Sequence, residues 1–251
     1  MLKLRIIPTL LFKDVGLVKG VGFDSWRRVG SAMQTVKVYN MREVDELVFF
    51  DISATPDKRR PDFKQIEELA AECFMPMTVG GGVRTVEDIR DLLMVGADKV
   101  AINTAAVETP RIITEGATSF GVQCIVVGID VKVTATGWEV YTHCGTRPTG
   151  LDPVAHALAV EALGAGEILL TSINRDGTMT GYDVEITRRV AEAVSIPVIA
   201  SGGAGNYGHM AEVLRGSKVA AVAAASIYHF TEQTPKEAKN FLRDQGFMVR
   251  Q

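Results

Sequence analysis

Short apolar runs alternate with longer stretches of helical spacing along the whole chain. The runs fall at Leu4–Leu11, Leu47–Ile52, Met77–Val79, Lys99–Ile102, Cys124–Ile129, Ile168–Ile173, Val198–Ala200 and Val219–Ala225. Amphipathic stretches lie between them, among them Phe63–Ala71, Val86–Val95 and Val184–Val194. Helix starts are marked at Thr109-Pro110, Asp152-Pro153 and Thr234-Pro235, where a capping side chain precedes a proline suited to the first helical position. Gly96, Gly121, Gly164 and Gly216 fall where helices should stop. The pattern predicts an α/β fold of eight strand–helix units, a (β/α)8 barrel; an open doubly wound sheet is the alternative.

The chain also repeats itself. At one constant offset Glu167 falls on Glu46, Pro197 on Pro76, and Gly202-Gly203 on Gly81-Gly82. At a slightly shorter one Ile129-Asp130-Val131-Lys132 falls on Leu10-Leu11-Phe12-Lys13. Two (β/α)4 halves in one barrel domain spanning 1–251 are expected, since no linker composition separates them. The chain has 251 residues, 47% apolar and 23% charged, with net charge −3, which suits one barrel and disfavours a polybasic nucleic-acid face. Cys73, Cys124 and Cys144 are odd in number and lack zinc spacing, which points to a reducing compartment. No apolar run approaches membrane-spanning length, and MLKLRIIPTLLFKD shows no signal cleavage pattern, so a cytoplasmic location is expected. The four histidines have no metal-ligand spacing, and no metal or cofactor is expected.

Barrel active sites lie where strands end. Thr78-Val79-Gly80-Gly81-Gly82 and Asn103-Thr104 end the third and fourth strands; Ser201-Gly202-Gly203-Ala204-Gly205 and Ala225-Ser226 end the seventh and eighth. Glycines let backbone N–H groups close on an anion, or merely make tight turns. Two such clusters in equivalent places predict two phosphate sites, suiting a ligand phosphorylated at both ends. Asp130 ends the fifth strand and is a candidate general acid or base, or else a structural carboxylate bonded to loop amides. By the repeat, its partner should stand at position 11, which is Leu11. Asp176-Gly177 follows the sixth strand and offers a substrate contact or an Asx-turn. Lys19 lies in a long first loop, as a mobile phosphate ligand or a solvated lysine, and Asp51 is a rim residue or a ligand. Trp26 and Trp138 are expected in loops.

The opposite strand ends carry a different pattern. Arg5, Glu46, Lys99 and Glu167 sit near the starts of strands one, two, four and six, where a neutral ring closing the barrel floor is expected. Buried charges need partners, so the ring reads first as structural. Above it a polar lumen holding Thr78, Asp51, Thr171 and Ser201 is expected.

RIIP at 5–8, DELVF at 45–49, MTVGGGV at 77–83, GADKVAINTAAVE at 96–108, GAGEILLTSINRDGT at 164–178, GYD at 181–183 and VIASGGAG at 198–205 resemble the cyclase subunit of imidazole glycerol phosphate synthase from end to end. The resemblance implies a lyase-type barrel of histidine biosynthesis that receives ammonia from a glutaminase partner and binds a bisphosphorylated ribotide. It implies one phosphate site at Gly82, Asn103 and Thr104, and another at Asp176, Gly177, Gly203, Ala225 and Ser226. Lys19 becomes the mobile loop lysine, Asp130 a catalytic carboxylate, and Arg5, Glu46, Lys99 and Glu167 an ammonia gate. Asp98 lies on the glutaminase-facing side. The departure is Thr-Leu-Leu-Phe at 9–12, where the family carries an aspartate at the position of Leu11. Phe-Asp-Ser-Trp-Arg-Arg at 23–28 and Tyr-Asn-Met-Arg at 39–42 are similar to a branch associated with surface-polysaccharide clusters. That similarity implies ammonia delivery to a separate sugar amidotransferase. A phosphosugar isomerase on a related half-repeat barrel would also need both carboxylates.

Overall fold

The computed structural model describes residues 3–42 and 44–250, so the expected 1–251 span reaches beyond them at both ends. Twelve strands occur among the described residues: β1 (Arg5–Lys13), β2 (Gly16–Val21), β3 (Asp24–Gly30), β4 (Leu47–Asp51), β5 (Met77–Gly80), β6 (Lys99–Ile102), β7 (Ile125–Thr134), β8 (Gly137–Thr142), β9 (Arg147–Pro148), β10 (Glu167–Ser172), β11 (Val198–Ser201) and β12 (Ala221–Ala224). The helices are α1 (Ala32–Met41), α2 (Phe63–Ala70), α3 (Val86–Met94), α4 (Thr104–Glu108), α5 (Arg111–Phe120), α6 (Pro153–Ala162), α7 (Val184–Ala193), α8 (Tyr207–Gly216), α9 (Ser226–Phe230) and α10 (Pro235–Asp244).

Strands β1, β4, β5, β6, β7, β10, β11 and β12 pair in that order, all parallel, and β12 returns to β1. The sheet closes: this is a (β/α)8 barrel. Apolar side chains facing outward from the strands meet the helices in the main core, where Phe49, Ile102, Val127 and Leu170 are buried. A second, smaller apolar cluster of Ile7, Val48, Ala101, Val126, Leu169, Ile199, Ala221 and Ala223 fills the barrel interior.

Each predicted run contains a barrel strand, with small shifts at the ends. Asp152 caps α6 by accepting from Ala155 N at 2.9 Å, and Thr234 forms a capping box with Glu237 on α10. The Thr109-Pro110 start is corrected: Pro110 itself takes the cap position, Thr109 makes no side-chain cap, and α5 begins at Arg111.

Two strands overshoot the barrel. β1 runs on to Lys13 and pairs antiparallel with β2, which pairs with β3. β7 runs on to Thr134 and pairs with β8, which pairs with β9. Both hairpins stand over the strand-end mouth. Trp26 and Trp138 therefore lie on β3 and β8, correcting their expected loop placement; Trp138 Nε1 donates to Asp183 Oδ2 at 2.9 Å.

Candidate functional site

The closed register decides which inward side chains share a level, because alternate strands fill each layer. At the floor stand Glu46, Lys99 and Glu167, with Arg5 just below. Ile7, Thr78, Val126 and Ile199 come next, and Val48, Ala101, Leu169 and Ala223 above them. Thr9, Gly80, Gly128 and Ser201 form the following level. Phe50, Asn103 and Thr171 lie above that, and Leu11 and Asp130 face each other across the top.

The floor is a closed ring of charge. Arg5 bonds Glu46 at 2.8 Å and also bonds Glu167. Lys99 Nζ sits 2.8 Å from both Glu46 Oε1 and Glu167 Oε2. Burial alone would raise the Glu167 carboxyl, but Arg5 and Lys99 override it and hold it below the usual carboxylate range. Thr78 Oγ1 donates to Glu46 Oε1 at 3.0 Å, so this hydroxyl belongs to the ring.

The expected polar lumen is corrected. The two levels above the floor are apolar apart from Thr78, and Asp51 is tied into its own turn. Its Oδ1 accepts from Ser53 N and Ala54 N at 3.0 and 3.1 Å, and Arg59 pairs with it at 2.7 Å. Asp51, Thr171 and Ser201 do line the mouth cavity. Such a collar opposes an ion far more than a neutral molecule, because the ion must lose its hydration.

At the mouth the electrostatics reverse. Asp130 lines the upper part of the cavity, crowded by protein though reached through the opening. Burial and the nearby Asp176 carboxylate push its carboxyl up to about 7, against a hydrogen bond from Thr171. Asn103 Nδ2 donates to Asp130 Oδ2 at 3.2 Å and to Gly128 O at 3.0 Å, so Asn103 orients this carboxylate. A carboxyl near neutrality suits either direction of proton transfer. Across the top level stands Leu11, which can transfer none.

The two glycine clusters also meet the cavity. Gly81 has φ +106° and a Cβ there would lie 2.1 Å from Asp51 O; Gly203 has φ +110° and would lie 2.1 Å from Gly181 O. Only glycine fits either place. Gly82, Asn103 and Thr104 line one side of the cavity, and Asp176, Gly177, Gly203, Ala225 and Ser226 the other. Thr104 Oγ1 is engaged by His143 N at 3.1 Å. Ser226 is buried and its hydroxyl has no partner among the described residues.

Lys19 is corrected from a mobile loop lysine. It lies on β2, is 2% exposed, and its Nζ sits 2.5 Å from Asp176 Oδ2. The Asx-turn reading of Asp176 gives way to this ion pair, backed by Gly22 N donating to Asp176 O at 2.9 Å. The hairpin is thus fastened over the cavity, and Arg27 adds a contact 4.1 Å over the Phe230 ring.

Sequence reasoning missed several lining residues: Phe23, Trp26, Phe50 and Cys144. Burial, with Asp130 and Asp51 nearby, pushes the Cys144 thiol up to about 12, so it is no nucleophile at neutral pH. Phe50 could have been found from strand period, since it stands two residues beyond Val48. The others arrive on hairpins the apolar runs do not announce. A further feature sits at the strand-start face, where Met41, Phe74, Met94, Val122 and Met248 are exposed at or just beyond the ends of helices. Asp98 is exposed there too, its Oδ2 accepting from Met77 N at 2.8 Å.

Among the described residues, no helix is long and apolar enough to cross a membrane. The sequence model of the family described as histidine biosynthesis protein matches residues 5–234, from the first residue of β1 through both hairpins and the last barrel strand. A barrel with its site at the strand ends, matched over nearly its whole length, belongs to the histidine biosynthesis protein family.

Proposed function

We propose that this barrel is a cyclase-like subunit of the imidazole glycerol phosphate synthase type that takes ammonia from a glutaminase partner and conducts it to a sugar amidotransferase. The observation that carries the reading is the contrast between Leu11 and the floor. The floor ring of Arg5, Glu46, Lys99 and Glu167 is complete, and the apolar collar above it suits an uncharged passenger. The mouth has one proton-transfer carboxylate, Asp130, where ring closure would use a pair. Ammonia passage needs the gate and the collar; it does not need an acid at position 11.

The exposed Met41, Phe74, Met94, Val122 and Met248 around the floor fit a docking face for the glutaminase, with Asp98 beside them. Apolar side chains gathered at one end favour a protein contact. The glycine clusters and the unpartnered Ser226 hydroxyl fit phosphate groups of a small ligand at the mouth.

The second reading is a complete cyclase of histidine biosynthesis. Asp130, poised near neutrality beside two anion cradles, favours it. The deciding experiment purifies the chain from its own cells and assays it for a co-purifying glutaminase. Glutamine hydrolysis in the complex is expected, with turnover of the bisphosphorylated ribotide near background even at high ammonium. Strong cyclase turnover by the unmodified chain overturns the delivery reading; absence of any glutaminase complex overturns both.

A further inference from the structure

We propose that the level formed by Thr9, Gly128 and Ser201, roofed by Thr171 and Asp130, is a holding site for one ammonium ion. This deepens the ammonia-conducting reading above and rests on it for its physiological purpose, though the site can be tested alone.

Thr9 is 8% exposed and lines the mouth cavity, yet its Oγ1 has no hydrogen-bond partner among the described residues. A buried hydroxyl left unpaired costs free energy, and an occupant that accepts or donates there recovers it. Space for that occupant comes from glycine. A Cβ at Gly128 would find nothing closer than Asn103 Cβ at 3.5 Å, so that quarter of the level is open. The other glycine of the level is different: at Gly80 the Phe50 ring already lies 2.7 Å from where a Cβ would be. The open volume of the level is therefore on the Gly128 side, facing Thr9 across the barrel.

The groups around it are oxygens. Thr9, Ser201 and Thr171 bring hydroxyls and Asp130 a carboxylate, a set that suits an ion with hydrogen-bond donors on every side. The lysine that lines the cavity, Lys19, is already spent on Asp176 at 2.5 Å. Below lies the apolar level of Val48, Ala101, Leu169 and Ala223, which admits the neutral molecule and resists the charged one. Ammonia arriving there takes the proton of the Asp130 carboxyl. An N–H bond forms, the O–H bond breaks, and an ammonium–carboxylate pair remains. Return of the proton to Asp130 releases ammonia toward the mouth.

The test follows the Asp130 carboxyl carbon by NMR in chain labelled with 13C-aspartate, with the signal assigned by its loss in Asp130→Asn. Ammonium chloride, potassium chloride and tetramethylammonium chloride are titrated separately at neutral pH and constant ionic strength. Ammonium alone is expected to give a saturable shift. Thr9→Val should weaken it about fivefold or more, the loss of one hydrogen bond to a charged group, while Thr9→Ser keeps it near the wild-type value. No saturable response, an equal response to potassium or tetramethylammonium, or unchanged binding by Thr9→Val overturns the proposal. Its failure is separable from failure of the conduction reading. Ammonia that reaches the mouth despite a flat titration sinks only the holding site; a normal titration with no ammonia delivered from the glutaminase sinks only conduction.

Discussion

The two ends of this barrel bury carboxylates under opposite conditions. Glu167 at the floor faces Arg5 and Lys99 and is held below the usual carboxylate range in spite of burial. Asp130 at the mouth faces Asp176 and rises to about 7, because burial and a like charge outweigh the hydrogen bond from Thr171. Burial pushes both the same way, so partners decide the sign. A carboxylate ringed by cations stays ionised and closes the floor with ion pairs. One left with neutral donors and a like charge exchanges a proton at neutral pH. The ends differ in what they can do for that reason, though the same strands build both.

The strongest way to break the contrast is to remove a cation from the floor. Arg5→Ala leaves Glu167 with Lys99 alone and Glu46 with Lys99 and Thr78. Urea unfolding should show a loss of about 3–5 kcal/mol, the usual cost of stripping one partner from a buried pair. A loss under about 1 kcal/mol would mean that Lys99 balances both glutamates unaided, and the ring would lose its structural meaning.

The mouth supplies the opposite pH dependence. The folded Asp130 carboxyl titrates near 7, above an unfolded value of about 3.9, so the folded state binds the extra proton between them. Stability should therefore fall as pH rises through that window and level off above it. Relative to Asp130→Asn, which mimics the protonated acid, the wild type should lose up to about 2–3 kcal/mol between pH 5 and 8 in urea titrations. A parallel course for the two proteins would place Asp130 at an ordinary value and end its candidacy as a proton carrier.

A smaller effect tests whether the mouth is kept open by backbone. Gly203→Ala puts a Cβ 2.1 Å from Gly181 O at φ +110°, while Gly150→Ala at φ +74° meets nothing within 4 Å. The first should cost roughly 1–3 kcal/mol and weaken inorganic phosphate binding; the second should cost about 1 kcal/mol and leave phosphate alone. Equal phosphate affinities in both variants would mean that Gly203 turns the chain and cradles nothing.

Barrel and floor were legible in the sequence because both follow short-range rules. Apolar runs such as Lys99–Ile102 mark barrel strands, and a charge at the start of such a run, as at Lys99, faces the charges that start other strands around the closed barrel. The collar was misread because Thr78 and Asp51 are polar in sequence yet spend their groups on protein partners, one on Glu46 across the floor and one on its own turn. Lys19 was misread for a related reason. Gly20 and Gly22 suggest a loop, but the segment pairs as a hairpin, and the distant Asp176 decides where the lysine goes. Contacts across 157 residues leave no local mark.

Leu11→Asp sharpens the comparison most directly, with the least disturbance. It places a second carboxylate opposite Asp130 on the top level, where the cavity already provides an opening for its solvation. Like charge should raise the Asp130 titration further, by roughly one unit, read from the same 13C carboxyl signal. Stability should change by about 1 kcal/mol or less, since Leu11 is half-buried at the cavity edge and loses few apolar contacts. One positioned acid or base contributes roughly 10²–10⁴-fold to a rate, so some ammonia-dependent cyclase turnover should appear in kcat without a matching change in substrate binding. The gain should fall short of that range, because the mouth is shaped around a leucine at position 11 and no polar neighbour among the described residues on that side is placed to orient the new carboxylate. A shifted Asp130 with no turnover would mean that the pair alone does not make a cyclase of this mouth. An unshifted Asp130 would mean that the two positions do not face each other, and the layer order of the barrel would have to be redrawn.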